Sequence, residues 1–174
     1  MNNQDKLARI YFDVFGRDID ITSTDDRMAM QKAVFFIQES GKEVGDYSFS
    51  WYKRGPYSQN LQYDILDIKS SKSLEPINYK SESREIIENL KIMIGERDKY
   101  NVVDWLIATS SLLYLKKYMT VYTITKEELL NKFAEKFPSL NDEVANKKAL
   151  ESVIKFSEAN RDLIRFFDEE EPIT

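Results

Sequence analysis

Tyr47-Ser48-Phe49-Ser50-Trp51-Tyr52-Lys53-Arg54-Gly55-Pro56-Tyr57-Ser58 is the most constrained stretch of the chain. Tyr47, Phe49 and Trp51 alternate with Ser48, Ser50 and Tyr52. That period of two defines a strand with one packed face. Arg54-Gly55-Pro56 breaks it, and Ser58 opens a helix with Leu61, Ile65 and Ile68 on its inner face. Phe49, Trp51, Gly55, Pro56 and Ser58 are thereby explained by core, turn and cap. Tyr52, Lys53, Arg54 and Tyr57 are left over as exposed side chains.

Outside this stretch the apolar period is helical. Residues 4–15 carry Leu7, Ile10, Tyr11 and Val14 on one face, with Gly16 as a stop. Thr24 is the expected cap of a helix running to about Ser40, ended by Gly41, with Asp25 and Asp26 at its positive end. Met30, Ala33, Val34 and Ile37, widened by Phe35 and Phe36, make it the expected central helix. Leu74 to Tyr79 reads as a weak edge segment that could pair with the Phe49 strand, and Pro76 confines it to an edge. Further helices are expected over 82–95, from Asn101 to Lys116-Lys117, from Thr125 to Phe137 and from Asp142 to Phe167. The expected architecture is a mainly α (α+β) single domain over 1–167. It holds one small β-hairpin or two-stranded element near 43–56 and 74–79, followed by an acidic tail over 168–174.

Composition excludes several function classes. The 174 residues contain no cysteine and no histidine. Disulfides, thiolate nucleophiles, His-activated nucleophiles and nearly all zinc chemistry are therefore ruled out. Carboxylate, lysine or tyrosine chemistry, or carboxylate-bound Mg²⁺ or Ca²⁺, would remain. The polar start Met1-Asn2-Asn3-Gln4-Asp5-Lys6 does not read as a signal peptide, which suits a cytoplasmic protein. The net charge of −5 opposes generic nucleic-acid binding.

The residue pattern points to binding rather than catalysis. Tyrosine and arginine bring large area and directed hydrogen bonds, so Tyr52, Lys53, Arg54 and Tyr57 are the expected partner-binding residues. Asp25-Asp26 and Glu127-Glu128 are adjacent on helices and do not face each other, so neither forms an acid/base dyad. No Walker loop, dinucleotide fingerprint, EF-hand loop or nucleophile elbow occurs. No catalytic residue, metal or cofactor is expected, and the expected partner is a protein, with neither membrane nor nucleic acid. The alternative is a winged-helix-like nucleic-acid-associated regulator, with the Thr125 helix, the Pro138 turn and the Asn141 start as its helix-turn-helix. Asp142-Glu143 would repel phosphate there, and Lys147-Lys148 offsets this in part.

Met30-Gln31-Lys32-Ala33-Val34-Phe35-Phe36-Ile37, followed by Tyr47 to Ser58 and Leu61, resembles the SocA/Panacea-type antitoxin-associated domain, and more closely its YwgA-like relatives. The shared pattern is a Gln-Lys helix, an extended aromatic stretch, then Gly55-Pro56-Tyr57-Ser58 and a helix. Trp105 to Tyr114 and Lys136-Phe137-Pro138 resemble its distal half, so the likeness spans roughly Thr24 to Phe156. The resemblance implies a helical scaffold with a small β element that acts by binding a protein, in toxin–antitoxin or phage-related settings, without a catalytic residue set. Arg54 departs from the aromatic or small polar residue that relatives often carry before Gly-Pro, which implies a different partner preference.

Overall fold

The computed structural model describes residues 1–69, 74–120 and 123–160. Its helices are α1 (Asn3–Phe15), α2 (Thr24–Glu39), α3 (Gln59–Leu66), α4 (Ser81–Gly95), α5 (Val102–Tyr118), α6 (Lys126–Lys136) and α7 (Glu143–Ala159). Strands β1 (Ser50–Tyr52) and β2 (Gly55–Tyr57) lie between α2 and α3. The protein is thus mainly α, with one two-stranded antiparallel sheet. Among the described residues no helix is long and apolar enough to cross a membrane.

The helix ends follow local chemistry. Side chains of Asn2, Ser23, Ser58, Asn101, Thr125 and Asp142 each accept a backbone N–H of the first turn that would otherwise be unpaired. The cap of α2 is Ser23; Thr24, expected there, is the first helical residue, and its hydroxyl takes an Arg27 N–H instead. Gly16 ends α1 at φ 76°, a left-handed conformation that costs glycine little. Pro138 follows the end of α6 directly. The expected continuation of α7 beyond residue 160 to Phe167 and the acidic tail lies outside the described residues, as does the loop that the sequence places at Ser70-Ser71-Lys72-Ser73.

Two helices form the centre. Ala29 to Ile37 of α2 and Trp105 to Leu113 of α5 are buried without a gap, so both helices are covered on all sides. α5 packs against α2, α4, α6, α7 and β2, while α2 also meets α1, α3, α4 and β2. The aromatic contacts run from Phe35 to Phe36, Phe49 and Tyr114, and from Phe36 to Phe156. The Trp105 indole N–H donates to the Met93 carbonyl at 3.0 Å, so its one polar atom is satisfied in the core. Thr109 and Ser110, also fully buried, return their hydroxyls to the carbonyls of Leu106 and Ile107 one turn earlier. A run that reads as polar can therefore lie in the core.

Asp26 does more than complement the start of α2. Arg17, from the connection after α1, binds both its carboxylate oxygens at 2.7 Å, and the Asp20 backbone N–H donates to it at 2.8 Å. The carboxyl of Asp26 is held below its ordinary range, first by the Arg17 hydrogen bonds. Removing Arg17 leaves a carboxylate that is 6% exposed with the Asp20 N–H and the Tyr11 hydroxyl but no countercharge. Arg17→Ala is expected to cost about 2 kcal/mol in urea unfolding, between the exposed-pair and buried-pair values.

Candidate functional site

The hairpin is shorter and differently paired than its sequence pattern suggests. Tyr47 is buried, Phe49 and Trp51 are half-buried, and Ser48, Ser50 and Tyr52 are exposed, so the alternation holds over the whole stretch. Only Ser50–Tyr52 pairs, and its partner is Gly55–Tyr57, the segment expected to break the strand. Leu74 to Tyr79 forms no strand; its Tyr79 hydroxyl instead donates to Asp13 of α1 at 2.7 Å. The reversal runs through Lys53 and Arg54 to Gly55, which sits at φ 89°. Lys53 and Arg54 are turn residues without positive φ, and a left-handed glycine is the usual end of such a loop. Pro56 is tolerated because it faces Trp51 without needing to donate to the ladder.

Two polar side chains of α2 finish the outer edge of β2. Lys32, fully buried, donates to the carbonyls of Arg54 at 2.6 Å and Pro56 at 2.7 Å. Gln31, also fully buried, pairs with Ser58 as a strand would: its amide N–H donates to the Ser58 carbonyl at 2.8 Å, and its oxygen accepts the Ser58 N–H at 2.9 Å. The edge of a two-stranded sheet would otherwise leave these backbone groups bare. Burial, and secondly the Arg54 charge, push the Lys32 amine down to about 7. Beneath the turn, a Cβ on Gly55 would fall 2.3 Å from Ser111 Oγ of α5 and 3.6 Å from Lys32 Nζ. Ser111 Oγ is buried and has no hydrogen-bond partner. The close approach of hairpin to α5 thus requires glycine at 55.

The residues expected at the partner surface divide between two faces of this pinned hairpin. Tyr52 and Tyr57 are diagonal neighbours on one side, with rings 5.0 Å apart at 62°. Tyr52 is 51% exposed and Tyr57 half-buried. Burial, then the neighbouring Tyr52 and Tyr63, raise the Tyr57 hydroxyl above its ordinary range. Tyr63 of α3 is 60% exposed. On the other side Lys53 and Arg54 border a groove of about 440 Å³ with Asp25, Asp104, Lys136 and Ser139. Trp51 packs against Tyr114 and against Phe137, a residue of the groove lining, with Lys136 Nζ 5.6 Å over its ring.

Sequence reasoning missed Gln31, Lys32 and Ser111. The available signal was a pair of strongly polar residues inside the apolar run Met30 to Ile37. A polar pair at the centre of a buried helix needs specific partners. The carboxylate pairs stay apart as expected: Asp26 turns to Arg17 while Asp25 lines the groove.

No family model, curated protein or solved structure matches the chain.

Proposed function

We propose that this protein is a non-enzymatic, cytoplasmic protein-binding module that neutralises or regulates a protein partner, as an antitoxin-like or phage defence or counter-defence factor does. One observation carries the reading. The hairpin tip is fastened from beneath through its backbone, by Lys32 and Gln31, while the side chains of Tyr52, Lys53 and Arg54 face outward. A contact surface fixed before binding loses little conformational entropy when a partner arrives. The aromatic–cationic content is the kind that supplies interface anchors. The likeness to the SocA/Panacea-type domain agrees with this reading.

The nucleic-acid alternative has weaker support. The hairpin packs on α2 and α5 and not on α7, so it does not stand beside that helix as a wing would. Lys148 of α7 is engaged by Asp98 at 3.2 Å.

The test is capture from a lysate of the native host by the tagged full chain, set beside Tyr52→Ala and Arg54→Glu. The expected result is a stoichiometric protein retained by the wild type and lost from both variants, with Tm within about 2 °C of the parent. Surface changes away from buried features ordinarily shift stability by under about 0.5 kcal/mol. Undiminished capture by both variants would place the contact elsewhere and sink the reading.

A further inference from the structure

We propose that the groove beside the hairpin tip receives a carboxylate-bearing segment of the protein partner, an acidic residue flanked by an apolar one. The proposal rests on the hairpin being a protein contact and names the chemistry of what it meets.

Charge and shape point the same way. Lys53 and Arg54 come from the hairpin turn and Lys136 from the last turn of α6, far apart in sequence, yet all three border one groove. Among the described residues the side chains of Lys53 and Arg54 form no ion pair or hydrogen bond, and Lys136 has the Trp51 ring rather than a carboxylate. The groove's two carboxylates offset them in part. Asp25 and Asp104 occupy the first turns of α2 and α5, where the helix ends already favour negative charge. The groove thus keeps a slight positive excess, with the three cations on its outer border, on a chain of net charge −5. Val103 and Pro138 add accessible apolar surface to the lining, which an isolated phosphate would not use. A volume of about 440 Å³ suits one or two side chains of a docked segment. With a net negative chain, charge here sets register and selectivity rather than long-range steering.

The experiment titrates the isotope-labelled full chain by NMR with an acetylated, amidated pentapeptide carrying two glutamates around a leucine. The same peptide with glutamines is the matched control. Inorganic phosphate and phosphatidylglycerol vesicles are the other probes. The expected result is amide shifts at Lys53 to Gly55 and at Ser139 and Leu140, with the glutamine peptide at least tenfold weaker. Lys53→Gln combined with Arg54→Gln should lose the binding while leaving the fold intact, because Lys32 holds the Arg54 carbonyl and not its side chain. Lys136→Gln should weaken it separately. Equal binding of both peptides, absence of shifts, or displacement of the peptide by millimolar phosphate or by vesicles would overturn the proposal. If the peptide fails while capture of the native partner still depends on Tyr52, the groove assignment falls and the protein-binding reading stands. If the peptide binds but capture ignores Tyr52 and Arg54, the hairpin is not the partner contact and the proposal falls with that reading.

Discussion

Gly55→Ala is expected to lower stability by about 3 kcal/mol, roughly 10 °C in Tm for a chain of this size. Two causes add. At φ 89° an alanine side chain crowds its own backbone, at about 1–2 kcal/mol. The new methyl also lands 2.3 Å from Ser111 Oγ, and relieving that overlap by shifting hairpin or helix costs about 1–3 kcal/mol. The two are separable. Ser111→Ala removes the oxygen and leaves Ser111 Cβ at 3.5 Å, an ordinary contact. It also deletes a buried hydroxyl without a partner, so alone it should be neutral or stabilising by up to about 1 kcal/mol. In the double variant the destabilisation should fall by about 1–2 kcal/mol, leaving the backbone term. A double-mutant cycle by urea unfolding reads that coupling. No coupling would show that the hairpin does not press on α5 at this point.

That prediction depends on the part of the fold least legible in the sequence. Local signals were readable because they act within a few residues: the caps at Ser58, Asn101 and Thr125, the stop at Gly16 and the alternation from Tyr47 to Tyr52. The second strand was misplaced because Gly55-Pro56 obeys a breaking rule that applies to central strands. Here β2 has only β1 on one side, and side chains of α2 replace a strand on the other. That substitution joins residues more than twenty positions apart, and no periodicity reports it. The all-round burial of α5 was hidden for a related reason. Thr109, Ser110 and Ser111 lower its apolar contrast, while their small size lets β2 and the neighbouring helices approach. Of the candidate site, the exposed residues were legible by elimination. Their division into a tyrosine face and a cationic groove was not, because Lys136 and Asp104 reach the groove only through tertiary packing.

Between pH 7.5 and 8.5 the wild-type protein should gain about 1 kcal/mol of stability over the pH unit, and Lys32→Met should not. The sign follows from the shift. Folding lowers the Lys32 amine from 10.5 to about 7, so in this window the unfolded chain holds a proton that the folded chain lacks. Stability therefore rises with pH through the window and is lost as pH falls toward 7. Above about pH 9 the trend reverses. Folding raises the hydroxyls of Tyr11, Tyr47, Tyr79 and Tyr118, mainly by burial, so stability present below 10 is lost once the unfolded tyrosines ionise. Groups with lowered carboxyl values, Asp20, Asp26, Glu82 and Asp142, act only at acid pH and leave the window to Lys32. At pH 9 Lys32→Met should be less stable by about 2–4 kcal/mol, since the Arg54 and Pro56 carbonyls lose their donor. The gap should narrow toward pH 7 as the wild type loses ground. Urea unfolding at fixed ionic strength in half-unit pH steps reads both slopes, and parallel slopes would remove Lys32 as the cause. Arg54→Gln is the informative third curve. It deletes the second cause of the shift, so Lys32 should hold its proton to higher pH and the rise should begin later. An exposed charge on the proposed contact surface would then be shown to act on the buried amine that fastens the hairpin. A partner carboxylate that neutralises Arg54 should move the same curve in the same direction.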